Sequence, residues 1–134
     1  MNQTATSSSA TQQTPQQMLT EIDGLNGAQL DALPFGAIAL DREGTILQFN
    51  EYEANLSNRR APDTIGRNFF HDVAPCTNVR EFYGRFQEGI EKGELNVSFD
   101  YRFAFRQGPR DVRVTLFYSQ ATATVWVFVQ ERSH

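Results

Sequence analysis

Cysteine is scarce: Cys76 is the only one in 134 residues. A lone thiol excludes an internal disulfide and suits a reducing compartment. Lysine is scarcer than usual too, with Lys92 alone among 12 basic residues. The 16 acidic residues leave a net charge of −4. That balance argues against nucleic-acid binding, which needs a basic patch. No apolar run approaches the ~20 residues of a membrane span. The opening residues lack the basic start and apolar stretch of a secretory signal, so a cytoplasmic location is expected. Two histidines, His71 and His134, with one cysteine make no metal-ligand pattern. The first 20 residues carry no charge and no aromatic ring. Such a stretch cannot bury enough apolar surface to offset its ordering entropy. Residues 1–20 are therefore expected to be a disordered or loosely held tail.

What is present fits one domain. The length is near the ~150-residue prior, and 40% of the residues are hydrophobic. All 16 aromatic residues (11 Phe, 4 Tyr, 1 Trp) fall between Phe35 and Phe128. Between tail and core, over 21–34, Ile22, Leu25, Leu30 and Leu33 suit a short amphipathic helix or two, interrupted by Gly24, Gly27 and Pro34. A monomer is expected.

Residues 35–40 and 45–50 read as a hairpin around the turn Asp41-Arg42-Glu43-Gly44. Residues 51–72 are mixed, with short helical pieces at most. Phe82, Phe86 and Ile90 recur every four positions, which predicts a helix over 80–92 with Gly93 as its stop. Residues 94–106 alternate strictly: Leu95, Val97, Phe99, Tyr101, Phe103 and Phe105 face one side. Residues 111–119 alternate again, and 124–130 are continuously apolar, as in a strand covered on both faces. The result is an α+β domain with a five-stranded antiparallel sheet flanked by helices. The PAS sensor fold has this order, with the core over 35–131 and 21–34 as an N-terminal cap.

The stretch IGRNFFHDVAPCT over 65–77 carries the functional signal, with EFYG at 81–84, ILQFN at 46–50, Glu53 and WVFV at 126–129. In these separated blocks the chain resembles the photoactive yellow protein family from about Leu25 to Val129. The resemblance implies a blue-light receptor, not an enzyme. Its cofactor would be p-coumaric acid, held as a thioester on Cys76 in the DVAPCT context, where a thiolate attacks an activated acyl group.

For the phenolate end of the ligand, the resemblance points to Glu53 as a protonated donor, Ser57 in place of the usual Thr, and Arg59 as a lid. Phe49 stands where the family has Tyr and lacks its hydroxyl. Ile38, Phe69, Phe70, Val73, Ala74, Tyr101, Phe103 and Phe105 are implied as pocket walls. Gln107 stands where Met is common, at a site linked to resetting the chromophore. The implied cycle is trans–cis isomerisation, proton transfer from Glu53 to the phenolate, loosening of the cap and thermal recovery. With no output domain evident, the signal would pass to a separate protein.

Without the resemblance, Cys76 is a small buried apolar residue and Glu53 a solvated carboxylate. Two further readings are a PAS interaction or ligand-binding module without a covalent chromophore, and a thiol enzyme. A flavin sensor's G-x-N-C-R-F motif is absent. Cys76 has no evident base partner or resolving cysteine.

Overall fold

The computed structural model describes residues 14–105 and 107–132. Residues 1–13 of the tail expected over 1–20, and His134, lie outside the described residues. Five strands form the sheet: β1 (Gly36–Leu40), β2 (Ile46–Phe49), β3 (Asn96–Phe105), β4 (Gly108–Ser119) and β5 (Thr124–Glu131). Their order is β2-β1-β5-β4-β3, antiparallel throughout, as the sequence pattern predicts. The first turn closes because Asp41 Oδ1 accepts from the N–H groups of Glu43 and Thr45, each at 2.9 Å. Gly44 then takes φ +90, a conformation costly for other residues. β5 is central and sealed on both faces. Val125, Val127 and Val129 point into the main core, while Trp126 and Phe128 point into a second cluster.

The helices are α1 (Pro15–Met18), α2 (Gly27–Asp31), α3 (Glu51–Ser57), α4 (Ala61–Thr64) and α5 (Arg85–Lys92). The helix expected over 80–92 begins as a wide π turn, Arg80–Gly84, in which Val79 O accepts from the N–H of Tyr83 and Gly84. It then tightens into α5 and ends at Gly93 with φ 75. On the same face of the sheet, Phe82 is fully buried. Its ring centroid lies within 6.1 Å of those of Phe69, Phe70, Phe99, Tyr101 and Phe103.

The opposite face of β1 and β5 is covered by the N-terminal segment. Met18, Ile22, Leu30, Leu33 and Phe35 pack there with Ala37, Ala39, Trp126 and Phe128. Met18 is buried although it belongs to the polar stretch 1–20, so this cover begins at α1. Asp23 pins it down: its carboxylate accepts from Trp126 Nε1 (3.0 Å), Thr122 Oγ1 (3.1 Å) and Ser119 Oγ. No helix among the described residues is long and apolar enough to cross a membrane.

Candidate functional site

Asn50 starts α3 and sets the site. As the N-cap its Oδ1 accepts from Glu53 N (3.1 Å), and also from Ala37 N (2.9 Å). Its Nδ2 donates to Leu30 O (2.8 Å) and Phe35 O (3.0 Å). One buried amide thus joins the cap, β1 and α3. The helix then turns Glu53, Ala54, Leu56 and Ser57 inward. Glu53 lies against Gly36, where a Cβ would collide with Glu53 Oε1; glycine is what leaves room for the carboxyl.

Glu53 is 3% exposed, and its Oε1 has no hydrogen-bond partner among the described residues. Burial pushes its pKa up to about 8, since a desolvated carboxylate is penalised and the neutral acid is not. At neutral pH this group carries a proton.

Asn68 organises the loop that carries the thiol. Its Oδ1 accepts from the N–H of Phe70 and His71 (3.0 Å each), which starts the π turn Phe69–Val73. A 3-10 turn, Pro75–Thr77, follows, closed by Thr77 N to Ala74 O (2.9 Å) and Asn78 N to Pro75 O (3.0 Å). Neither bond uses the N–H of Cys76. Cys76 is half-buried and its thiol is free. Its carbonyl accepts the hydroxyl of Tyr101 from β3. Burial raises the Tyr101 pKa, with smaller contributions from Cys76 and Glu81, so the phenol stays a donor.

These elements enclose a cavity of about 290 Å³, near the lower end of the ~300–1,000 Å³ typical of small-ligand sites. Phe49, Glu53, Ser57, Arg59, Phe69, Val73, Ala74, Cys76, Phe103 and Phe105 all line it. Four positions singled out in the sequence are not among the lining residues. Ile38 is fully buried in the main core, and Tyr101 holds the Cys76 carbonyl. Gln107 is exposed and donates to Leu56 O (2.8 Å), tying the β3–β4 turn to α3. Phe70 likewise packs in the core. Pro75 and Ala104 also line the cavity; their neighbours Cys76, Phe103 and Phe105 were the available signal.

Two polar wall residues are already engaged. Ser57 Oγ donates to Glu53 O (2.7 Å), the back-bond of a helical serine. Asn58 ends α3 in the left-handed conformation, φ 57, and Arg59 Nη2 then donates to Val73 O (2.8 Å), closing α3 onto the thiol loop. Phe49 is 7% exposed and offers no polar atom. An apolar aromatic wall, one thiol and one buried carboxyl with an unpartnered oxygen suit a flat aromatic acyl group with a polar tip. The thiol would hold the acyl end, and the carboxyl would satisfy the tip.

The chain is similar to known proteins over most of its length. The PAS fold family matches residues 26–131. Photoactive yellow protein from Rhodothalassium salexigens is 45% identical over 106 residues, covering 79% of this chain and 85% of the relative. The one from Cereibacter sphaeroides is 41% identical over 98 residues, covering 73% and 79%. Among solved structures, the photoactive yellow protein domain of the sensor histidine kinase Ppr from Rhodospirillum centenum superposes with a TM-score of 0.81 at 42% identity. That match covers 84% of this chain and 98% of that domain. The PAS domain of the quorum-sensing receptor RpfR from Cronobacter turicensis, at 16% identity and TM-score 0.62, shares the fold alone. The chain belongs to the photoactive yellow protein family of PAS-fold blue-light photoreceptors.

Proposed function

We propose that Cys76 carries p-coumaric acid as a thioester, with the phenolic end received by Glu53. The supporting observation is that the free thiol and a buried carboxyl with an unpartnered oxygen line one cavity. When bound, the group supplies a blue-absorbing double bond that isomerises from trans to cis and a phenolate that accepts a proton. Phe49, Phe69, Val73, Phe103 and Phe105 exclude water and hold the ring. Ala74 and Pro75 position Cys76, whose backbone N–H stays available to the acyl carbonyl. Arg59 sits at the wall as the nearby positive charge.

The proton held on the Glu53 carboxyl is the one that moves. Its loss leaves a carboxylate at 3% exposure with an unpartnered oxygen. An uncompensated buried charge of this kind costs about 3–5 kcal/mol. A domain has only ~5–15 kcal/mol in total, so the structure yields where it is weakest.

The route of release is built on Asn50. Any shift of α3 pulls on the bonds from Asn50 to Leu30 O and Phe35 O. It pulls too on the bond from Glu51 N to Asp31 Oδ1 (2.8 Å). All three lead toward the N-terminal segment, whose loosening is the signal. The receiver is a separate signalling protein, and the setting is cytoplasmic; in the related Ppr the same domain type is part of a sensor histidine kinase. Hydrogen exchange in light and dark tests this. Faster exchange over residues 14–33 in the light is expected, and equal exchange would refute the release step.

A further inference from the structure

Among the described residues β3 is an edge of the sheet, paired with β4 alone in unbroken register over all ten residues. Tyr118 N donates to Leu95 O (2.9 Å). In an antiparallel ladder the bonded pairs recur at every second residue. The odd-numbered residues from Leu95 to Phe105 therefore spend their backbone groups on β4. The N–H and C=O groups of Asn96, Ser98, Asp100, Arg102 and Ala104 point outward. No backbone hydrogen bond from another described residue meets them. Four of these five residues are exposed and Ser98 is half-buried. Sheets normally protect such an edge with a bulge, a proline, charged side chains or another element. Here the edge carries neither bulge nor proline, and its two charges, Asp100 and Arg102, are of opposite sign, so that they repel a partner strand in some registers and attract it in another.

We propose that two copies of the chain pair edge to edge through β3, antiparallel about a twofold axis at Tyr101, and so join their sheets into one. Two conditions select this register. Outward-facing groups meet only when even-numbered residues oppose even-numbered residues. The charges must then oppose in sign. Centred on Tyr101, Asp100 faces the partner's Arg102 and Arg102 faces the partner's Asp100. Centring on residue 100 sets Asp100 against the partner's Asp100. Centring on residue 102 sets Arg102 against the partner's Arg102. Like charges directly opposite destabilise a pair, and opposite charges stabilise it. On the inner face the same register sets Phe99 against the partner's Phe103 and Val97 against the partner's Phe105. These are aromatic and aromatic–β-branched pairs, the kind that stabilise sheets.

The in-chain ion pairs leave these charges available. Arg102 pairs with Asp111, and Asp100 pairs with Arg113 and Arg132. The side chains of Arg102 and Asp100 nevertheless remain 67% and 52% exposed. The surface is self-complementary, as a twofold contact requires.

Sedimentation velocity of the full chain over a wide concentration range tests the pairing. A reversible dimer is expected. Asp100→Arg and Arg102→Asp should each raise its dissociation constant on the order of tenfold or more, because each creates two like-charge pairs. The two changes together should restore it. Ser98→Pro removes an outward N–H while keeping the backbone bonds to β4. It also removes the hydroxyl contact of Ser98 with Thr115 (2.8 Å), so Ser98→Ala is the control, and with folding checked by circular dichroism only the proline should abolish the dimer. A chain that stays monomeric at every concentration overturns the proposal. So does a dimer that none of these changes affects, which would place self-association on another surface.

Discussion

Replacing Glu53 by glutamine isolates the cost of burying its charge. Burial lifts the carboxyl from 4.5 to about 8, while in the unfolded chain it stays near its ordinary value. Below about pH 4.5 both states are protonated and the group imposes no penalty. Between pH 4.5 and 8 the folded state holds a proton that the unfolded state has released, so stability falls as pH rises. Above about pH 8 the folded state also ionises and the fall stops. At ~1.4 kcal/mol per unit, the full window is worth up to about 5 kcal/mol. Glutamine has the same shape and no such titration. Urea unfolding of both forms without chromophore at pH 5, 7 and 9 measures the difference. Every other titrating group is shared and cancels. The variant should gain on the native chain by at least about 2 kcal/mol between pH 5 and 9. A difference that stays constant within ~0.5 kcal/mol across that range would mean that Glu53 is not held neutral by burial.

Asn50→Ala deletes four buried hydrogen bonds. At ~1 kcal/mol net for each, the loss should be about 4 kcal/mol in denaturant unfolding, with residues 14–33 exchanging fastest. Ser57→Ala removes only a helix back-bond, so the chromophore-loaded protein should keep its absorption band within a few nanometres. A large shift would show that the hydroxyl turns to the ligand. Phe49→Tyr adds a hydroxyl to the cavity wall and should move or sharpen that band. An unchanged spectrum would mean that another donor already fills the place. Gly36→Ala puts a methyl group where Glu53 Oε1 lies. It should displace the carboxyl and alter the band and its pH dependence, read by spectral titration.

The strands were legible because period two has no helical competitor at that length. The alternation over 94–106 becomes β3, two residues shorter at its start, while residue 106 lies outside the described residues. α3 was hidden. Its seven residues, EYEANLS, hold few apolar positions, and it forms because Asn50 caps it and the sheet receives Glu53. The π turn at Arg80–Gly84 keeps the same apolar spacing as an α-helix, so no pattern announces it. Met18 lies in a polar stretch, and only the distant Trp126 and Phe128 cluster explains its burial.

At the site, Cys76 and Glu53, singled out by the motifs around them, both line the cavity. The spent proton of Ser57, the Arg59–Val73 bond and the outward placement of Gln107 depend on which backbone carbonyls lie near. Sequence spacing does not encode that.

The most direct test is to react the purified chain with an activated ester of p-coumaric acid, then record its mass, peptide map and spectrum. The expected product carries one coumaroyl group on Cys76. It is yellow, bleaches in blue light and recovers in the dark, and Cys76→Ala yields none of it. A chain that takes up no acyl group on Cys76, or takes it up without a reversible light response, would contradict the account.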